Sequence, residues 1–165
     1  FLTDEPGTDG IMYIGVDSNG LAGSATVATS GLSRRVDILD VCTGSGVQGI
    51  TAARHAAARG LEAQLTLLDV NPRARRFARA NLMMNDVSGR FVESDLFAEV
   101  RTRKFDLILA NTPFVPSGEI REGTWAYFTD GGSDGEVITK RVVGEGLPLL
   151  KSTGRMLIAT PIYNE

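Results

Sequence analysis

Residues 40–49 read Asp40-Val41-Cys42-Thr43-Gly44-Ser45-Gly46-Val47-Gln48-Gly49, and what flanks them decides the fold. Upstream, residues 36–41 form a short apolar run of strand length. Downstream, residues 47–59 are Ala-rich and closed by Gly60, a helix with its C-terminal stop. A strand, a glycine turn and a helix in that order open a βα unit, and Gly44, Gly46 and Gly49 match G-x-G-x-x-G. Working outward, residues 64–68 are a second strand ending at Asp69. Asn71-Pro72 then supplies an N-cap with Pro at the first helical position. Ala74, Phe77, Ala78 and Leu82 fall on one face of the helix that follows. Residues 90–93, 105–110 and 155–160 read as three further strands, the last preceded by a helix over about 134–150 and introduced by Gly154. The alternation predicts an α/β, doubly wound, mostly parallel sheet of Rossmann-like topology, with a ligand outside the carboxyl ends of the strands.

The remaining composition narrows the class. A chain of 165 residues has the length of one domain, and 42% hydrophobic with 22% charged residues excludes disordered, collagenous and coiled-coil chains. The net charge of −3 argues against a domain-wide phosphate-binding surface, though not against a local basic patch. The single Cys42 cannot close an intrachain disulfide, and no apolar run approaches the ~20 residues that cross a bilayer. There is no basic-then-apolar signal segment at the start. The expectation is a cytoplasmic protein without membrane association. Residues 1–33, rich in Gly, Ser, Thr and Asp, read as a loop-rich leader or the end of an upstream region, and residues 34–165 as the ligand-binding domain.

Asp40 helps choose the ligand. The glycines with Asp69 suit a dinucleotide, Asp69 serving as the acidic partner of a ribose. A pyrophosphate beside the Asp40 carboxylate would be repelled by about 1 to 4 kcal/mol for nearby unit charges. S-adenosyl-L-methionine carries no phosphate but a positive ammonium and a positive sulfonium, which the same carboxylate attracts. A ligand-free glycine turn is the plain alternative, and the strand–turn–helix setting speaks against it. At these residues the sequence resembles the class I S-adenosylmethionine-dependent methyltransferases. Residues 40–46 are similar to their first motif, acid-x-G-x-G-x-G, with Cys42 where the first Gly is usual, and Asp69 matches their ribose-binding acid. Ser94-Asp95-Leu96-Phe97 resembles the stretch whose acid contacts the adenine amino group; the plain alternative for Asp95 is a turn cap. The resemblance implies cofactor contacts from Asp40, Cys42, Gly44, Gly46, Asp69, Asp95, Leu96 and Asn111. Sheets of this class usually finish with two more strands, so residues 34–165 are expected to be a C-terminally incomplete domain.

Asn111-Thr112-Pro113-Phe114, directly after the fourth strand, resembles the N-P-P-[FY] motif of methyltransferases acting on nitrogen of planar groups. An amide or aromatic amine nitrogen is a poor nucleophile because its lone pair is delocalised. The Asn111 side-chain oxygen and the Thr112 carbonyl would accept its hydrogens, and the Phe114 ring would pack on the planar group. Thr112 in place of the first Pro keeps a carbonyl and gives up rigidity; an ordinary Asn-x-Pro turn is the plain reading. Residues 127–135, Tyr-Phe-Thr-Asp-Gly-Gly-Ser-Asp-Gly, resemble the G-G-x-D-G stretch of release-factor glutamine methyltransferases. The function implied is methyl transfer to an amide or amino nitrogen, with a protein glutamine as acceptor. Nucleic-acid base methylation is the alternative, and a nicotinamide-dependent oxidoreductase a more distant one.

Other features read as structural. Arg73, Arg75, Arg76 and Arg79 lie opposite the apolar face of their helix, the pattern of a solvated surface. His55, the only histidine, sits among alanines in the first helix, away from the expected pocket mouth, which favours a structural role over a catalytic or metal-binding one. Cys42 has no Lys or Arg beside it in sequence, which favours packing over reactivity. Trp125 and Tyr127, in the long connection after the fourth strand, are candidates both for lining a cleft and for anchoring a loop.

Overall fold

The computed structural model describes residues 1–4, 14–29, 31–32, 34–120 and 129–160. Its strands are β1 (Arg35–Val41), β2 (Glu62–Asp69), β3 (Gly89–Glu93), β4 (Phe105–Asn111) and β5 (Leu150–Ala159). They form one sheet in the order β3-β2-β1-β4-β5, every pairing parallel. The helices are α1 (Val16–Ala28), α2 (Val47–Ala58), α3 (Pro72–Met84) and α4 (Val137–Gly146). The strand order reverses between β1 and β4, so the carboxyl ends of these two strands flank the crevice where such sheets bind ligands.

Strand alternation assigns the two faces. Val36, Ile38, Leu65, Leu67, Leu107 and Leu109 pack with Leu21 and Ala25 of α1, Ile50 and Ala53 of α2, and Ala78 and Leu82 of α3. Leu39, Val41, Leu68, Ile108 and Ala110 pack on the opposite face with Phe97, Phe105 and Val142 of α4. Both faces being covered explains why β1 and β4 read as nearly continuous apolar runs. The start of α3 follows its sequence signal: the Asn71 side chain accepts from the Arg73 amide at 2.9 Å, with Pro72 at the first position.

Three elements differ from the reading of the sequence. Part of the stretch read as a loop-rich leader is α1, a 13-residue helix packed on α2, β4 and β5. Its buried residues Ser18, Leu21, Ala22, Ala25 and Ala28 have helical spacing. The stripe holds one large apolar residue, Leu21, and the exposed face carries Gly20 and Gly23, so tertiary packing rather than propensity holds the helix. The helix read over about 134–150 is shorter: Val137–Gly146 is α-helical, and Leu147–Leu149, containing Pro148, is a 3-10 turn. β5 begins at Leu150 rather than near 155, with a register irregularity between Phe105 and Leu107 opposite it. Gly154 lies within the strand, where a Cβ would stand 2.7 Å from the Phe105 carbonyl oxygen.

Candidate functional site

β1 ends under the glycine loop. Asp40 points to the α2 face and is fully buried. Its Oδ2 accepts from the Thr43 hydroxyl and from the Gly49 amide, the latter at 3.0 Å. Gly49 has to be glycine, since a Cβ there would lie 2.9 Å from Asp40 Cβ and Oδ2 and from Leu67 Cδ2. Cys42 adopts φ 54°, the left-handed region that favours glycine, which is the physical meaning of the usual Gly at that position. Burial, with Asp69 second, pushes the Cys42 thiol up, so it stays protonated and packs. Gly46, also left-handed, opens α2.

Asp69, at the end of β2, closes the loop from the other side. Its Oδ2 accepts from the Gly44 amide at 2.8 Å and its Oδ1 from the Asn71 amide at 2.9 Å. Asn81, fully buried on α3, holds the next residue of the loop: its Nδ2 donates to the Ser45 carbonyl at 2.8 Å and to the Leu2 carbonyl at 2.9 Å. After β3, Ser94 caps the turn, its hydroxyl donating to the Leu96 carbonyl at 2.8 Å and accepting from the Glu99 amide at 3.3 Å. Asp95 is therefore not the cap. Its carboxylate meets Arg141 of α4 at 3.1 Å.

The end of β4 completes the site. Asn111 Nδ2 donates to the Ser18 hydroxyl of α1 at 3.0 Å. Thr112 is buried and shares a 2.7 Å hydrogen bond with Thr139 of α4, an anchor that a proline would lack. Residues 129–137 clasp the loop that follows: the Val115 amide donates to the Thr129 carbonyl at 2.7 Å, and Gly131 donates back to the Val115 carbonyl at 2.8 Å. A Cβ at Gly131 would come within 2.7 Å of Phe114 Cα, and one at Gly135 within 2.4 Å of the Phe114 carbonyl oxygen. The glycines of the G-G-x-D-G stretch thus bring two segments into backbone contact.

These elements enclose a cavity of about 220 Å3 at the carboxyl ends of the strands. Of the residues proposed from sequence, Cys42, Gly44, Asp69, Asp95, Leu96, Asn111 and Pro113 stand on its wall. Asp40, Gly46, Thr112 and Phe114 are not among its lining residues. Trp125 and Tyr127 lie outside the described residues. The wall also carries Ser18, Gln48, Asn71 and Asp130. Asn71 reads in sequence as a cap only, Ser18 sits in a stretch with no chemical signature, and Gln48 occupies an unspecified position of the glycine motif. Asp130 accepts from the Ser117 hydroxyl at 2.7 Å and the Gly132 amide at 2.8 Å, bonds that hold its carboxyl below its usual range.

The methyltransferase small domain model matches residues 22–160. The chain belongs to that family. A protein of Methanocaldococcus jannaschii named for protein N5-glutamine methylation is 37% identical over 120 residues, covering 72% of this chain and 58% of the relative. A ribosomal protein uL3 glutamine methyltransferase of Francisella tularensis is 30% identical over 129 residues, covering 73% of this chain and 40% of the relative. A ribosomal RNA small subunit methyltransferase C of Hamiltonella defensa is 43% identical over 77 residues, covering 47% of this chain and 21% of the relative. The chain thus spans about half the length of the first two. In structure, it is similar to an S-adenosylmethionine-dependent methyltransferase of Agrobacterium tumefaciens, with a TM-score of 0.57 and 18% identity over 86% of this chain and 44% of that one. This likeness places the small-domain chain in the same fold.

The wall of this family member fits S-adenosylmethionine. Gln48, on the wall, carries a buried Oε1 with no protein donor among the described residues, an acceptor suited to a ligand that carries donors. Asp69 presents a carboxylate already oriented by two backbone amides, free to accept from a vicinal diol. Among the described residues, no cluster of Lys or Arg lines the cavity.

Proposed function

We propose that this chain transfers a methyl group from S-adenosylmethionine to the amide nitrogen of a protein glutamine. The observation that carries the reading is the placement of Asn111 and Pro113 on the same cavity wall as Asp69 and Asp95. Asp69 would bind the ribose hydroxyls and Asp95 the adenine amino group. Asp40, beneath the loop, shapes it by accepting from the Thr43 hydroxyl and the Gly49 amide rather than touching the ligand. Bound S-adenosylmethionine supplies an electrophilic methyl on a positively charged sulfur. The chain's own residues hold the acceptor. Asn111 Oδ1 and the Thr112 carbonyl accept the two amide hydrogens, so the nitrogen lone pair is aimed at the methyl. A nitrogen–carbon bond forms as the sulfur–carbon bond breaks, one proton leaves the nitrogen, and S-adenosylhomocysteine is released. Alignment with an already activated methyl needs no strong general base.

Methylation of an RNA base nitrogen is the second reading, favoured by the likeness to the Hamiltonella defensa ribosomal RNA methyltransferase. The arginine face of α3 supports it weakly, because Arg73 pairs with Asp4 at 2.8 Å and Arg75 with Glu93 at 3.3 Å. The test is incubation of the chain with methyl-labelled S-adenosylmethionine and, in separate reactions, a bacterial release factor and ribosomal RNA, followed by mass spectrometry of the product. Label on a glutamine, lost in Asn111→Ala, is the expected result. Label on RNA alone would replace the glutamine reading with the second one.

A further inference from the structure

Asn111 has to present its oxygen, not its amide NH2, to an incoming N–H. A carboxamide is ambivalent: one end accepts and the other donates twice. With the NH2 end toward the acceptor nitrogen, two donors would face each other and the nucleophile would be pushed away. Something in the site has to choose between the two ends, and the backbone of β4 alone does not, because the terminal torsion of Asn is broad and roughly two-fold.

The residue that holds one orientation is Ser18, whose hydroxyl can donate or accept and here accepts. It lies in the first turn of α1, 7% exposed, on the wall of the cavity. Its hydroxyl oxygen accepts from Asn111 Nδ2 at 3.0 Å across 93 residues of sequence. α1 itself is fixed by Leu21, Ala25 and Ala28 in the core shared with α2 and the sheet, so the hydroxyl is carried on a rigid support. We infer that Ser18 is a positioning residue for methyl transfer: its hydrogen bond to Nδ2 holds the Asn111 carboxamide in the one orientation that leaves Oδ1 for the acceptor nitrogen. This rests on the reading of Asn111 given above.

The test uses Ser18→Ala, Ser18→Thr and Asn111→Ala, with two readouts. The first needs no substrate. In protein labelled with 15N-asparagine, the side-chain NH2 resonances of Asn111 are those missing from Asn111→Ala. Ser18→Ala should shift them and speed their exchange with solvent, and Ser18→Thr, which keeps a hydroxyl, should restore them. Unchanged resonances in Ser18→Ala would overturn the inference. Alanine is the better helix former, so the variant is expected to fold, and its unfolding transition checks this.

The second readout is methyl transfer to the release factor named above. Losing one such hydrogen bond should lower kcat about tenfold in Ser18→Ala while the KM for S-adenosylmethionine changes less than twofold. The effect should vanish in the Asn111→Ala background, where no carboxamide remains to orient. An equal slowing in both backgrounds would overturn the coupling. If Asn111→Ala transfers methyl at the wild-type rate, the functional reading of Asn111 fails. If Asn111→Ala is inactive and Ser18→Ala is not slowed, this inference alone fails.

Discussion

Asp40 shows how a carboxyl that a motif points to can be buried away from the cavity it helps to build. Its position before the glycines suggests direct attraction of a cation, yet the side chain alternates onto the α2 face and is sealed by Gly49. Burial pushes its pKa up to about 7, against the opposing pull of the Thr43 and Gly49 hydrogen bonds. An acid whose folded pKa lies above its unfolded value keeps a proton that the unfolded chain gives up. The stability tied to that proton is complete below about pH 4 and is lost as pH rises through about 7. Between pH 5 and 7 the wild type should therefore lose roughly 2 kcal/mol that Asp40→Asn does not lose. Denaturant titrations of both proteins across this range measure the difference; parallel stability curves would show that Asp40 carries no such proton.

At the scale of elements, the glycine loop is held by partners from two strands and a helix. Asp69 of β2 takes the Gly44 amide, Asp40 of β1 takes the Gly49 amide, and Asn81 of α3 takes the Ser45 carbonyl. The Asn81 contact has no counterpart in the motif read from sequence. Asn81→Ala leaves the Ser45 carbonyl without its buried donor, so a loss of about 1 to 3 kcal/mol in stability is expected. Because the loop itself loosens, S-adenosylhomocysteine should also bind several-fold more weakly in calorimetric titration. Destabilisation with unchanged affinity would place Asn81 in the architecture alone. The Gly131–Gly135 segment works in the same way on the other side of the crevice, pinning the backbone of Phe114 and Val115 so that Asn111 and Pro113 face the cavity.

Across the whole molecule, α1 ties the start of the chain to its far end. It packs on α2, β4 and β5, and the Arg155 side chain of β5 donates to the Ala28 carbonyl at 2.7 Å. The helix therefore belongs to the core. Leu21, 5% exposed beneath it, is expected to cost about 2 to 4 kcal/mol when cut to alanine, read from the shift in the denaturation midpoint. A change under 0.5 kcal/mol would mean that α1 is peripheral.

The sheet, the order of its strands and helices along the chain, and the glycine loop were legible in the sequence. Their signals are local: apolar runs of strand length, an Asn-Pro cap, glycines at positions where side chains do not fit. Asp69, Asp95, Asn111 and Pro113 were legible for the same reason, each standing at the carboxyl end of a strand or just after one, where a doubly wound fold collects its ligand contacts. What the sequence could not decide is what those residues touch. The pairing of Ser18 with Asn111 and of Asn81 with Ser45 spans 93 and 36 residues, and no periodicity records it. Nor does a motif say which of its members face the cavity and which support from behind. Asp40 lies behind the wall because strand alternation turns it to the α2 face, and Thr112 is tied to Thr139 of α4, contacts that only the packed chain settles.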